Sequence, residues 1–140
     1  MRIALCCLLV AAALFGSAPA AIADAAEACD AAGRSQAELN ECYGNAYKKT
    51  DAELNALYKQ ITSRLKDDQT TTKLLVAAQR AWLAYRDAEC NFSASGVAGG
   101  SIYGMILAIC LDRLTSKRIA DLQNYLKCQE GALDCPVPAH

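Results

Sequence analysis

The chain of 140 residues has a single histidine, and it is the last residue, His140. No Cys-x-x-Cys pair occurs, so the ligand spacing of a zinc site is absent. Basic and acidic residues nearly balance, with 14 Lys and Arg against 15 Asp and Glu. This weak net charge disfavours a nucleic-acid partner, which requires a basic face. The sequence therefore predicts no metal, no cofactor and no nucleic-acid surface.

Groups suited to catalysis are also scarce. No internal histidine can act as a general base. The carboxylate pairs Asp51/Glu53 and Asp87/Glu89 are two residues apart, so their members point in different directions on a helix. We therefore expect a binding protein and not an enzyme.

The amino-terminal residues 1–23 have the pattern of a signal peptide. Arg2 gives a positive start, an uncharged apolar run follows, and small residues precede a polar sequence. The run is too short to span a bilayer, and no cysteine follows it directly to carry a lipid. We favour cleavage after Ala23, although Ala20 fits nearly as well. The remaining residues, 24–140, are then one exported domain, periplasmic or secreted, without a membrane anchor.

Six cysteines lie beyond this segment, and an even number in a short exported chain predicts disulfide bonds. They are Cys29, Cys42, Cys90, Cys110, Cys128 and Cys135. A helix from Cys110 to Cys128 spans roughly 27 Å, too far for a bond, so we expect Cys128 to pair with Cys135. The other four allow three pairings, of which we favour Cys29 with Cys42 and Cys90 with Cys110, because both close short segments.

Apolar periodicity predicts three helices, over about 36–66, 72–90 and 102–127, and no strand. A capping box of Ser35 and Glu38 opens the first helix. Two short turns between long helices predict an all-α, antiparallel three-helix up-down-up bundle stapled by disulfides, with an irregular tail after residue 129.

Residues three or four apart define the predicted buried face of each helix. The first face comprises Leu39, Tyr43, Ala46, Tyr47, Thr50, Leu54, Leu57, Ile61 and Leu65. The second comprises Leu75, Ala78, Trp82, Tyr85 and Glu89. The third comprises Ile102, Ile106, Ile109, Thr115, Ile119, Leu122 and Leu126.

A polar cluster should form between the first two helices. Glu53, Asn55 and Tyr58 lie at about the same height above the turn as Trp82 and Arg86. An ion pair of Glu53 with Arg86 is feasible there. The cluster is either a binding surface or a network that fixes helix register, and we favour the second because polar groups beside a core commonly specify register.

Residues 91–100 contain three glycines and two serines, which predicts a flexible loop. Loops on rigid scaffolds often carry binding. We therefore expect a protein partner to contact Phe92, Ser93, Ser95 and Ser101, unless the segment is a plain connector.

Several motifs in combination resemble the lysozyme inhibitor LprI-like N-terminal domain family over about residues 29–126. They are Cys29 and Cys42 around Ser35-Gln36-Ala37-Glu38-Leu39-Asn40, Asp51-x-Glu53-Leu54-Asn55-x-x-Tyr58, Gln79-Arg80-x-Trp82-x-x-Tyr85-Arg86-Asp87-x-x-Cys90, Gly100-Ser101, Cys110, and Thr115-x-x-Arg118-x-x-x-Leu122. The resemblance implies an exported helical domain and suggests that it inhibits lysozyme and protects the cell wall. The alternative is an envelope interaction or immunity module that binds another protein.

Overall fold

The structure is a computed structural model that describes residues 28–30, 33–129 and 131–137. The predicted signal peptide lies outside these residues. The described part of the chain is helical and contains no strand. Its elements are α1 (Gln36–Arg64), α2 (Gln69–Ala94), a short 3₁₀ turn (Ser95–Val97) and α3 (Tyr103–Leu126).

Side-chain caps determine where the first two helices begin. The carboxylate of Glu38 accepts a hydrogen bond from the Ser35 backbone N–H at 2.7 Å, and Ser35 Oγ accepts one from the Glu38 N–H, which completes the predicted capping box. Asp68 Oδ1 accepts from the Thr71 N–H at 3.0 Å. The cap at Asp68 lets α2 begin at Gln69, three residues before the predicted start.

The helix α3 lies at the centre of the packing, because it runs along α1 and also contacts α2. The backbones of α1 and α2 approach each other at few positions. The largest buried cluster comprises Leu54, Ile61, Leu65, Ile119, Leu122 and Val137. Val137 comes from the irregular tail, so the tail is fixed to the core at that residue.

The six cysteines form three pairs, Cys29–Cys42, Cys90–Cys110 and Cys128–Cys135, with Cα–Cα distances of 5.7, 5.5 and 5.6 Å. These distances are normal for disulfide bonds. The pairing is the one that the sequence favoured.

The buried face of α1 agrees with the prediction, since all nine residues named for it are buried or half-buried. The face predicted for α2 is wrong by about one position. Ala78 and Tyr85 are exposed, and Gln79 and Arg86 are buried in their place. The prediction counted apolar residues as the core, whereas here two polar side chains find partners that make their burial possible. On α3, Ile109 is likewise exposed.

The flexible loop predicted for residues 91–100 is also wrong. Residues 91–94 form the last turn of α2, and the 3₁₀ turn follows directly. Asn91 Nδ2 donates to the Asp87 carbonyl at 2.7 Å, and Cys90 is bonded to Cys110 of α3. The connection between α2 and α3 is therefore short and is attached to the bundle.

Candidate functional site

The guanidinium of Arg86 is the centre of the polar cluster between α1 and α2. Arg86 is only 6% exposed. Its Nη1 lies 3.0 Å from Asp51 Oδ1 on α1, and its Nε lies 2.9 Å from Asp87 Oδ1 on its own helix. One buried cation therefore joins two carboxylates, and one of these comes from the neighbouring helix.

Two aromatic rings enclose the same guanidinium. Its Cζ lies 5.2 Å from the ring centroid of Trp82 and 5.6 Å from that of Tyr47, both within the range of a cation–π interaction. Burial alone would lower the pKa of Arg86, but the hydrogen bond to Asp87 and the other partners raise it above its ordinary value. Arg86 is therefore a permanent cation that these rings and carboxylates compensate.

The predicted cluster is assembled only in part. Arg86 and Trp82 are in contact as expected, but the ion pair of Glu53 with Arg86 is wrong, because Asp51 takes that place. Glu53 instead turns towards α3, where its Oε1 lies 3.4 Å from Gln123 Nε2. On a helix, residues two positions apart face different sides, so Asp51 and Glu53 cannot both reach Arg86.

Asn55 and Tyr58 have different roles. Asn55 Nδ2 donates to the Asp51 carbonyl at 2.8 Å and to Asp51 Oδ2 at 3.0 Å, so it orients the carboxylate that binds Arg86. Tyr58 packs against the core around Leu54 and lies outside the cluster.

Arg86 has three partners that the sequence did not lead us to expect: Tyr47, Asp51 and Asp87. A signal was available, because Tyr47, Asp51 and Asn55 are spaced four apart and so lie on one face of α1. The side chain of Asp51 is 34% exposed and that of Asp87 is 56% exposed. From outside, the cluster therefore presents two hydrated carboxylates, while the cation lies beneath them.

Asn40 joins α1 to the start of α3. Its Oδ1 accepts from the Met105 N–H at 3.1 Å, and its Nδ2 donates to the Ser101 carbonyl at 2.8 Å. The side chain thus satisfies a free backbone donor in the first turn of α3. The carbonyl of Ser101, one of the predicted contact residues, is therefore held in place.

The other predicted contact residues lie where α2 ends. Phe92 is 76% exposed, and Ser93, Ser95 and Ser101 are also exposed. The disulfide at Cys90 holds this end of α2 against α3. We call these four exposed residues, at the end of α2 and in its connection to α3, the α2–α3 turn surface.

A groove of about 700 Å³ lies between α1 and α3. Thr50 Oγ1 donates to Asp112 in its wall, Lys49 and Lys117 line it, and Glu53 belongs to it. Glu53 thus lies in a different surface feature from the one that the sequence predicted.

The comparison with known families is decisive for classification. The family model for lysozyme inhibitor LprI matches residues 28–122. The chain belongs to this LprI family. An uncharacterized protein of Rhizobium meliloti (strain 1021) is 34% identical over 111 residues, which cover 69% of this chain and 78% of that protein. No solved structure matches the chain.

The region that matches the LprI family contains the whole Arg86 cluster, the Asn40 cap and two disulfide bonds. The third disulfide, Cys128–Cys135, and the buried Val137 lie beyond it. The LprI match thus includes the side-chain contacts that join the helices, but not the disulfide bond and the buried valine of the tail.

Two features of the described residues concern other kinds of site. Within 28–30, 33–129 and 131–137, no group of three or more His, Cys, Asp and Glu is placed to hold a metal ion. No helix in the same residues is long and apolar enough to cross a membrane.

Proposed function

We propose that this chain is an exported binding protein, periplasmic or secreted, that inhibits a lysozyme and thereby protects the cell wall. The observation that carries the proposal is the match of the LprI lysozyme inhibitor family to residues 28–122. On this proposal the protein acts by occupying an enzyme, and it needs no catalytic group of its own.

We propose that the α2–α3 turn surface makes the contact. An exposed aromatic ring next to small hydroxyl side chains is a common composition of protein-binding surfaces, in which aromatic residues supply most of the affinity. Phe92 supplies the ring, and Ser93, Ser95 and Ser101 supply the hydroxyls. Because the disulfide at Cys90 already holds this surface, binding would cost little conformational entropy.

By contrast, the buried position of Arg86 favours a structural role for its cluster. A side chain that is 6% exposed offers little area to a partner. We propose that the cluster fixes the register of α1 and α2, and that the three helices run up, down and up. Contacts between α1 and α3 support this order because they ascend together, from Thr50 with Asp112 to Arg64 with the Leu126 carbonyl.

The direct test mixes the oxidised protein with lysozyme and follows clearing of a cell-wall suspension. We expect clearing to slow with increasing protein and Phe92→Ser to weaken inhibition by about tenfold or more, as for an interface anchor. Leu133→Ser is the matched control, because Leu133 is a fully exposed apolar residue in the tail. Unchanged clearing at a large molar excess of protein would reject the proposed function. Capture of a different envelope protein would then favour an interaction or immunity module.

Export has its own test. Fractionation of the producing cell should place the protein outside the cytoplasm, and amino-terminal sequencing should begin at Asp24 or Ala21. A cytoplasmic protein that still begins at Met1 would contradict the proposed location.

A further inference from the structure

The outward face of α2 is apolar along most of the helix. Eight of its exposed residues are apolar: Leu74, Ala77, Ala78, Ala81, Ala84, Tyr85, Ala88 and Phe92. The three large ones are 67%, 55% and 76% exposed for Leu74, Tyr85 and Phe92. The exposed face of a surface helix is normally polar, so an apolar stripe here is unusual for a helix that contacts only water on this side.

Three pairs of residues in the stripe are symmetric about its middle. Leu74 and Phe92 mark its two ends, about 27 Å apart along the helix, and five of the six stripe residues between them are alanines. An antiparallel second helix of the same sequence, related by a two-fold axis at the level of residue 83, brings these pairs together. The facing residues are then Leu74 with Phe92, Ala78 with Ala88, and Ala81 with Tyr85.

The charged residues at the border of the stripe do not share this centre, but they are compatible with the same pairing. The exposed charged residues of α2 are Lys73, Arg80 and Asp87, which are seven apart and so lie along one side of the helix. In a two-fold antiparallel pair, each border meets its own copy. Arg80 of one chain then lies within one residue of the position opposite Asp87 of the other, so each Arg80 faces a carboxylate.

We propose that the apolar stripe on α2 binds a second copy of this chain, in an antiparallel, two-fold pair of α2 helices. The alanines allow the two helix axes to approach to within about 8–10 Å. Leu74 and Phe92 fill the ends of the contact, and Tyr85 packs against Ala81 of the other copy near its middle. A helix face of this length buries roughly 300 Å² per copy, less than half of a standard interface. The proposed dimer therefore belongs to the weak, transient class of interfaces and forms only at high protein concentration.

Sedimentation of the oxidised protein over a range of concentrations tests the proposal. We expect the average mass to rise towards twice the monomer mass at several hundred µM. Ala81→Glu places like charges near the two-fold axis and should keep the protein monomeric. Ala56→Glu is the matched control, because Ala56 is an exposed helical alanine on α1, away from the stripe. Circular dichroism should show that both variants keep their helix content.

A second variant tests the charge pairing. Arg80→Glu replaces each attraction with a repulsion and should weaken the dimer by about tenfold, an effect that added salt reduces. The proposal is overturned if the wild type stays monomeric, if Ala81→Glu still dimerises, or if Ala56→Glu dissociates the dimer equally. Loss of lysozyme inhibition in Ala81→Glu with a monomeric wild type would assign the stripe to the enzyme instead.

Phe92 belongs to both surfaces, but Ala81 lies eleven positions away from it, about 16 Å along α2. Lysozyme inhibition by Ala81→Glu should therefore equal that of the wild type at concentrations where both are monomeric. Failure of the dimer and failure of the inhibitor function are thus separate results.

Discussion

Replacing Arg86 with methionine tests whether the polar cluster stabilises the fold. The substitution keeps an unbranched side chain but removes two ion pairs and two cation–π contacts. Because Asp51 and Asp87 are 34% and 56% exposed, each ion pair contributes at most about 1 kcal/mol. Each cation–π contact adds about 1 kcal/mol, and the buried methionine recovers about 1 kcal/mol by its apolar surface. We expect the free energy of unfolding to fall by at most about 3 kcal/mol.

The size of this stability loss depends on how well water reaches the carboxylates of Asp51 and Asp87. Removing one partner of a fully buried ion pair costs about 3–5 kcal/mol, because the other charge is left without water. Here both carboxylates remain hydrated, so that penalty should be absent. Asp51→Asn should cost about 1 kcal/mol or less, since Arg86 keeps Asp87 and both rings. The double variant should lose less than the two single losses together.

Urea unfolding of the oxidised protein, followed by circular dichroism, measures these values. Arg80→Met is the matched control, an exposed arginine on the same helix, and should change stability by less than about 0.5 kcal/mol. A loss above about 4 kcal/mol would mean that the carboxylates are effectively buried. A loss as small as that of the control would show that the cluster does not stabilise the bundle. If the Arg86→Met variant folds but no longer inhibits lysozyme, the Arg86 cluster belongs to the binding surface.

Three further predictions concern other parts of the chain. The hydrogen bond that Tyr43 donates to Asp30 raises the pKa of the phenol to about 12. The folded pKa lies above the unfolded value of about 10, so this stabilisation is present below pH 10 and is lost between pH 10 and 12. Phenolate absorbance should include a late titration that Asp30→Asn makes earlier, whereas Tyr47, whose pKa burial also raises, should not respond to that change. Ser35→Ala should lower stability by about 1 kcal/mol in urea, through loss of the α1 cap. Val137→Ala should cost about 2 kcal/mol in the same assay, and no change would mean that the tail is not fixed to the core.

The helices and the disulfide pairs could be predicted because their determinants are local. Ser35 and Glu38 are three residues apart, and the cap that they form fixes the start of α1 whatever packs against it. Likewise, Cys128 and Cys135 are only seven positions apart, and the length of α3 keeps Cys128 away from Cys110. Such features depend on the spacing of residues within one segment, and that spacing can be read directly from the sequence.

The partner of Arg86 could not be predicted in the same way. It depends on how α1 and α2 are rotated about their own axes, because Asp51 and Glu53 lie on different sides of α1 and the rotation decides which of them faces Arg86. Periodicity predicted that Tyr85 lies on the buried face of α2. Instead the next residue, Arg86, is buried, because Asp51, Asp87 and two aromatic rings compensate its charge. A buried polar residue is stable only with its tertiary partners, so apolar counting within one helix misses it.

The order of the cysteine pairs has a consequence for how the protein is made. The six paired cysteines bond consecutively along the chain, the first with the second, the third with the fourth and the fifth with the sixth, at sequence separations of 13, 20 and 7. This is one of the 15 ways in which six thiols can connect. On the proposed export, a chain that enters an oxidising compartment from its amino-terminal end exposes each of these native pairs before the next pair, so we expect refolding of the mature chain to depend little on a disulfide isomerase.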